Sequence, residues 1–209
     1  MGAPRLTSLL SRSFFDRSPD LVGPDLLGCE FIRRTDAGAV SVRISETEAY
    51  LGRVDPASHA FGGESPRNTA MFGQPGHLYI YFTYGMYYCM NIVCGPGMRA
   101  GGVLLRAGEV VAGADLAHAR RPKVKLAHHL ARGPACFAIA TAIGRDDYGA
   151  DICSPQSSIR LRGRDAVPQI RCGPRVGVSR AADEPLRFWI ENDKSVSAYK
   201  RSNRAPAAS

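Results

Sequence analysis

Lysine is nearly missing from this chain. Lys123, Lys125, Lys194 and Lys200 are the only four, so almost all of the positive charge is arginine. Arginine presents a planar fork that suits paired contacts to phosphate, whereas lysine is a point charge. Genomic base composition also raises arginine, so this bias has little weight alone. No lysine lies between Glu46 and Arg106, a gap that constrains the chemistry discussed below. The six cysteines, Cys29, Cys89, Cys94, Cys136, Cys153 and Cys172, form no C-x-x-C, and no histidine stands at zinc-finger spacing from a cysteine pair. They read as reduced, buried thiols, with no metal expected. No stretch approaches the roughly 20 apolar residues of a membrane span. The start, Met1-Gly2-Ala3-Pro4-Arg5, leads to no long apolar run, which predicts a cytoplasmic protein without a secretory signal. G-x-x-x-x-G-K-S/T, G-x-S-x-G, H-E-x-x-H and a helix-opening G-x-G-x-x-G are all absent. That removes P-loop, α/β-hydrolase, zincin and dinucleotide-binding chemistries as readings. No internal repeat and no second domain are visible.

What is present is a basic chain of 209 residues with a formal charge of +8 and 44% apolar residues. This composition supports a real core and favours a polyanionic partner, or else a small acidic metabolite. The length suits one domain, placed at 13–199, with flexible termini at 1–12 and 200–209. Ser13 to Asp16 reads as helical, with Phe14 and Phe15 as core anchors. A short helix is expected from Pro24 through Leu27, ended by Gly28. Cys29–Arg34 and Ala39–Tyr50 read as a hairpin about the turn 35–38.

The second strand of that hairpin carries Glu46, Glu48 and Tyr50. Alternation places all three on one face, with Thr47 and Ala49 on the other. Two acids and an aromatic make a poor core, but they suit a pocket that activates water beside a flat ring. Residues 51–76 form a long polar loop containing His59, Arg67 and Asn68, and such loops are often functional. A tyrosine-rich hairpin follows over 77–93, with Tyr79 and Tyr81 on one face and Tyr84 at its tip. Ile80, Phe82 and Ile92 read as its core side. A rigid tip tyrosine next to glycine suits a wedge between stacked bases. Gly102–Ala107 is an apolar strand interrupted by Arg106, which needs a buried partner; Glu48 is a candidate. From Gly113 the pattern is helical, with Pro134 at a helix start, Cys136–Ile143 as a buried face and His128-His129 at the surface. Ser158–Arg162 reads as a strand, and 175–191 as two strands joined by a polar turn.

Together these segments resemble the alkyladenine (3-methyladenine) DNA glycosylases. The resemblance rests on ETEAYLG at 46–52, His59, SPRN at 65–68, the block from Met71 to Asn91, VLLRA at 103–107, RVGV at 175–178 and PLRFW at 185–189. It covers roughly residues 13 to 197. It implies an α+β fold: a single domain with a curved antiparallel β-sheet core, flanking helices and a protruding β-hairpin. It also implies hydrolysis of the N-glycosidic bond of alkylated or deaminated purines flipped out of double-stranded DNA, with no cofactor; a monomer is the simpler expectation for extended DNA contact. Carried over by position, Glu48 is the general base and Arg106 helps hold it and the water. Tyr50 and Tyr81 stack on the flipped base, His59 meets its edge, and Asn91 crowds the amine of normal guanine. Tyr84 fills the gap in the duplex. Backbone contacts are expected from Arg67, Asn68, Arg121 and Arg132. Arg121 or Arg132 would substitute for a lysine that relatives carry after Gly-Pro, where this chain has Ala135-Cys136-Phe137. Trp189 stands where the family usually has tyrosine and reads as a conservative core change. The missing lysine also argues against a Schiff base, hence against strand cleavage. Two other readings remain open: a non-catalytic module that binds damaged DNA, and a hydrolase of free nucleosides.

Overall fold

The computed structural model describes residues 8–83, 85–97 and 99–207. Two short helices open it, α1 (Arg12–Phe15) and α2 (Pro19–Asp25), followed by the hairpin β1 (Glu30–Thr35) and β2 (Gly38–Tyr50). After the long loop come β3 (Leu78–Thr83), β4 (Tyr87–Cys94) and β5 (Gly101–Ala112). The second half contains α3 (Ala114–Arg120), β6 (Ala131–Arg132), α4 (Pro134–Ala140), β7 (Ile159–Arg162), β8 (Ile170–Gly173) and β9 (Arg187–Ile190). Among the described residues the strands form one nine-stranded sheet. Its main path runs β3-β4-β5-β2-β1-β7, with β6 beside β5 and the β8–β9 pair joined to β2. Every recorded pairing is antiparallel. The α+β expectation, a single domain with a sheet core, a few helices and a protruding hairpin, is what the chain adopts.

Strand alternation divides this sheet into two working faces. Leu78, Ile80, Met90, Ile92, Val103 and Leu105 turn to the main core, where Phe15, Phe31, Leu26 and Phe137 join them. Phe31 meets Phe137 edge-on, with ring centroids 5.4 Å apart. Burying each such side chain contributes about 1.5–3 kcal/mol. The intervening residues point the other way: Tyr79, Tyr81 and Val93 pack with Met71, Ala60 and Ala100 in a small second cluster. The core therefore fixes the orientation of the opposite face, where the polar residues collect.

β2 has more than one neighbour on each stretch. Its first half pairs with β1, its Glu46–Glu48 segment pairs with β9, and β5 follows it along the other edge. The register against β5 slips between Ile44 and Glu46 and again between Glu46 and Thr47. A bulge of this kind adds a residue to one strand and re-aims the side chains that follow. Gly108 lies across from Ile44 at the slip. A Cβ there would collide with Val42 Cγ1 and with the Arg43 carbonyl oxygen at 2.5 Å. Glycine is what allows β5 to approach the bulged strand.

Several local expectations need correction. The helix expected from Pro24 starts instead at Pro19, in the first turn where proline's missing N–H costs nothing, and Pro24 lies near its end. Phe82 is exposed rather than core, because β3 is an edge strand that runs beyond the packed cluster at its Thr83 end. Residues 175–191 contain one strand, β9; its partner β8 precedes the loop. Cys172 is exposed, unlike the buried thiols of Cys29, Cys89 and Cys94. Leu10 and Arg12, assigned to a loose terminus, make contacts: Leu10 N–H bonds to Leu161 O at 2.9 Å and Arg12 pairs with Asp151 at 2.7 Å.

Replacing Gly108 with alanine is expected to destabilise the protein by about 1–3 kcal/mol through overpacking at the bulge. Thermal or denaturant unfolding measures it, and a variant as stable as wild type would show that the bulge can relax.

Candidate active site

Three side chains of β2 and one of β5 meet on the sheet face opposite the main core. Arg106 Nε bonds to Glu46 Oε1 at 2.9 Å, and its terminal nitrogen lies 3.3 Å from Glu48 Oε1. The Tyr50 hydroxyl donates to Glu48 Oε2 at 2.9 Å. Glu46 and Glu48 are both fully buried, and Arg106 is 6% exposed. Alternation along β2 thus delivers the expected face. Arg106 takes both carboxylates, where the sequence pointed to Glu48 alone.

The two glutamates differ in what surrounds them. Glu46 Oε1 accepts from Arg106, from Arg187 Nε at 2.7 Å and from Ser197 Oγ at 2.9 Å, and Oε2 accepts the Ser197 N–H at 2.7 Å. Burial alone would push the Glu46 carboxyl up, but Arg106 and Arg187 outweigh it and hold the group below its usual value of 4.5. Its oxygens are saturated with protein donors. Glu48 Oε1 accepts the Val176 N–H at 2.7 Å and faces Arg106, while Oε2 has the Tyr50 hydroxyl. An ionised carboxylate offers about four lone-pair sites, so Glu48 keeps acceptor capacity for one more donor. Of the two acids, it is the one equipped to hold a water.

Tyr50, His59, Tyr81 and Asn91 line one cavity, together with Ala57, Ser58, Met71 and Tyr79. The structure brings these expected pocket residues together from β2, the long loop, β3 and β4. The His59 and Tyr81 rings meet edge-on at 4.7 Å, and Tyr79 and Tyr81 stack at 5.8 Å. His59 Nδ1 hydrogen-bonds with the Tyr79 hydroxyl at 2.8 Å. If Nδ1 accepts that proton, Nε2 carries the ring N–H. Burial lowers the His59 pKa below its usual 6.5, which favours the neutral ring. The cavity encloses about 20 Å³, roughly room for one water.

A wider groove adjoins this cavity and shares His59, Tyr79 and Tyr81 with it. Arg67, Phe82, Arg145 and Tyr148 line its outer part. Arg67 is exposed there. Asn68 is 4% exposed, and its amide is used within the loop. It accepts from Ser65 N–H at 2.7 Å and donates to His59 O at 2.9 Å and Gly63 O at 3.0 Å. Its geometry is that of a loop tie, and a phosphate contact would have to displace those bonds. Arg121 and Arg132 lie elsewhere, in an open basic hollow with Lys123, Lys125 and His129. Arg121 donates to the carbonyls of His129 and Leu130 at 2.6 Å each, and Arg132 donates to Val196 O at 2.8 Å. The expectation for Tyr84 falls outside the described residues. Gly85, beside it, has φ +65°, as a tight left-handed turn requires.

A family profile described as Methylpurine-DNA glycosylase (MPG) matches residues 13–194. The chain belongs to the methylpurine-DNA glycosylase family. Among relatives provisionally named 3-methyladenine DNA glycosylase, one from Streptomyces avermitilis is 48% identical over 204 residues, covering 96% of this chain and 95% of the relative. One from Nocardia farcinica is 50% identical across 82% of this chain and 84% of its own length. One from Methanocella arvoryzae is 42% identical across 95% of this chain and 98% of its own length.

Within this family frame, the sequence passed over several residues that the structure puts at the site. Arg187 and Ser197 complete the shell of Glu46. Trp189, read as a core change, lies under the Arg187 guanidinium at 4.7 Å. Arg175 and Asp55 form a buried pair behind Tyr50. The signal was available for Arg175, which stands in the RVGV segment, but its partner lies 120 residues away in the long loop. Among the described residues no group of three or more His, Cys, Asp or Glu side chains is placed to hold a metal, and no helix is long and apolar enough to cross a membrane.

Glu46→Gln is expected to cost about 3–5 kcal/mol, because it strips two buried guanidiniums of their shared anion. The folded-state pKa of Glu46 is depressed, so its contribution is complete above its unfolded value near 4.5 and is lost as pH falls through the lower folded value. Unfolding followed from pH 7 to pH 3 should therefore show a shallower acid loss in Glu46→Gln than in wild type.

Proposed function

We propose that this chain is a monofunctional DNA glycosylase acting in base excision repair. It flips alkylated or deaminated purines out of duplex DNA and hydrolyses the N-glycosidic bond, leaving an abasic site. Family membership supports DNA glycosylase activity on alkylated purines. The observation that carries the finer reading is the buried Glu48 carboxylate, with one acceptor site spare, bonded to Tyr50 in the wall of an aromatic cavity.

In this reading Glu48 orients a water and accepts its proton as the water oxygen bonds to C1′. The bond from C1′ to the purine nitrogen breaks, and its electron pair leaves with the base. The sugar passes through an oxocarbenium-like state, which the same carboxylate stabilises electrostatically. Arg106 holds Glu48 in place. Tyr50 and Tyr81 offer faces to the flipped ring, and electron-rich faces favour a methylated, cationic purine. His59 meets the base edge, and Asn91 opposes the exocyclic amine of unmodified guanine. Arg67 is the expected backbone contact with the clearest access, since it lines the open groove beside the pocket. Tyr84, one residue before the Gly85 turn, fills the vacated stack. Extrusion costs a few kcal/mol, least for a damaged or mispaired base, and this contributes to selection.

This reading differs from non-catalytic binding of damaged DNA in what Glu48 is for. A binder gains nothing from a buried carboxylate beside a polyanion, and Arg106 would need one partner, not two.

Glu48→Gln is expected to lower single-turnover excision from lesion-bearing duplexes by about 100-fold or more, the scale of a lost general base, while damaged-DNA binding persists. Turnover at the wild-type rate would remove Glu48 from the base role. No lysine lines either cavity of the site, so borohydride should trap no covalent protein–DNA adduct and the abasic strand should stay intact. Trapping at any residue of the pocket would contradict the monofunctional assignment.

A further inference from the structure

Behind Tyr50 lies a charge that the reaction as proposed does not use. Arg175 is 1% exposed, and its guanidinium carbon sits 4.7 Å from the centre of the Tyr50 ring. One terminal nitrogen donates to Asp55 Oδ2 at 2.5 Å and to Ala49 O at 3.0 Å, and the other donates to Asp55 Oδ1 at 2.9 Å. Asp55 is itself anchored by the backbone N–H groups of Leu51 at 3.1 Å and Ala57 at 3.0 Å. Tyr50 belongs to the cavity wall and Arg175 does not, so the ring stands between the guanidinium and the cavity. Burial keeps solvent from screening this charge.

An aromatic face attracts a cation through its quadrupole. A ring whose back face already holds a fixed cation offers less to a second cation on its front. A neutral purine stacks through area and dispersion and is far less sensitive to the charge behind. The bond from the Tyr50 hydroxyl to Glu48 enriches the ring, but it acts on every ligand of the pocket and does not remove the asymmetry. A residue needed only to brace the loop would be equally well placed anywhere along Asp55. Here it is stacked on the plate that meets the base.

We propose that Arg175 is a specificity-determining residue: held by Asp55 against the back of Tyr50, it weakens the pocket's preference for cationic lesions and shifts it toward neutral ones. The inference rests on the glycosylase reading above and concerns the charge of the base that the site accepts. It makes Asp55 a positioning residue and predicts a balanced lesion range from a pocket whose aromatics would otherwise favour alkylated, positively charged purines.

The test compares excision of 7-methylguanine, which is cationic in DNA, with excision of hypoxanthine, which is neutral, from otherwise identical duplexes. The variant Arg175→Gln with Asp55→Asn removes both charges together and leaves hydrogen-bonding groups in their place. Its ratio of single-turnover excision, 7-methylguanine over hypoxanthine, is expected to rise about 3- to 10-fold above wild type, the range of one cation–π contact. Arg175→Lys, which keeps the charge, should stay near the wild-type ratio. Equal loss on both lesions in the double variant would reduce Arg175 to a structural brace and overturn the proposal, as would a ratio that falls. Tyr50→Leu gives an independent arm that leaves Arg175 intact. If the ring's attraction for cations is already offset, both lesions lose the same factor, whereas a selective loss of 7-methylguanine excision overturns the idea. Failure of the wild-type protein to excise either base is a separate outcome, which would sink the glycosylase reading and this inference together.

Discussion

One guanidinium shared by two buried carboxylates is the constraint on which the rest of this structure depends. Arg106 lies in the middle of an apolar strand, and neither Glu46 nor Glu48 has any access to solvent. Isolated, each of the three would be costly to bury. Together they are tolerable only at the separations seen, 2.9 Å and 3.3 Å. That requirement fixes the register of β2 against β5, and with it the direction of every side chain from Glu46 to Tyr50. The second arginine, Arg187, then breaks the symmetry. Glu46 receives two cations and a serine, while Glu48 receives one cation, a backbone N–H and a tyrosine. The same residue type is made structural at one position and available for chemistry two residues later.

The sheet works as a partition. Its apolar face is bound to α2 and α4 through Phe31, Val22 and Phe137, and its other face is left to polar and aromatic groups. A tightly packed face is what allows the opposite one to be unfavourable. The small cavity follows the same logic: His59 and Tyr81, both in its wall, pack on one another.

Much of the fold was legible because its signals are local. The β1–β2 hairpin, the tyrosine hairpin and the start of α4 at Pro134 follow from period-two alternation and from the turn preferences of glycine and proline. Where reading failed, the cause was tertiary. Phe82 looks like core in a strand pattern and is exposed because its strand is an edge. Trp189 looks like an ordinary core residue and is in fact a platform for Arg187.

The sequence by itself determined which residue types share a face. Alternation of side chains is a property of the extended backbone and needs no knowledge of the rest of the chain. It therefore put Glu46, Glu48 and Tyr50 together and required a buried partner for Arg106. Only the tertiary structure decided what each of them does. The bulge opposite Gly108 aims the carboxylates, β9 brings Arg187 to one of them, and the loop after β8 brings the Val176 N–H to the other and Arg175 behind Tyr50. The contacts of Arg187, Val176 and Arg175 join residues more than 120 positions apart, and no periodicity within a strand encodes a distance of that kind. Charge in a low-dielectric interior is set by its neighbours in space, so the different surroundings of Glu46 and Glu48 appear only when the chain has closed around them.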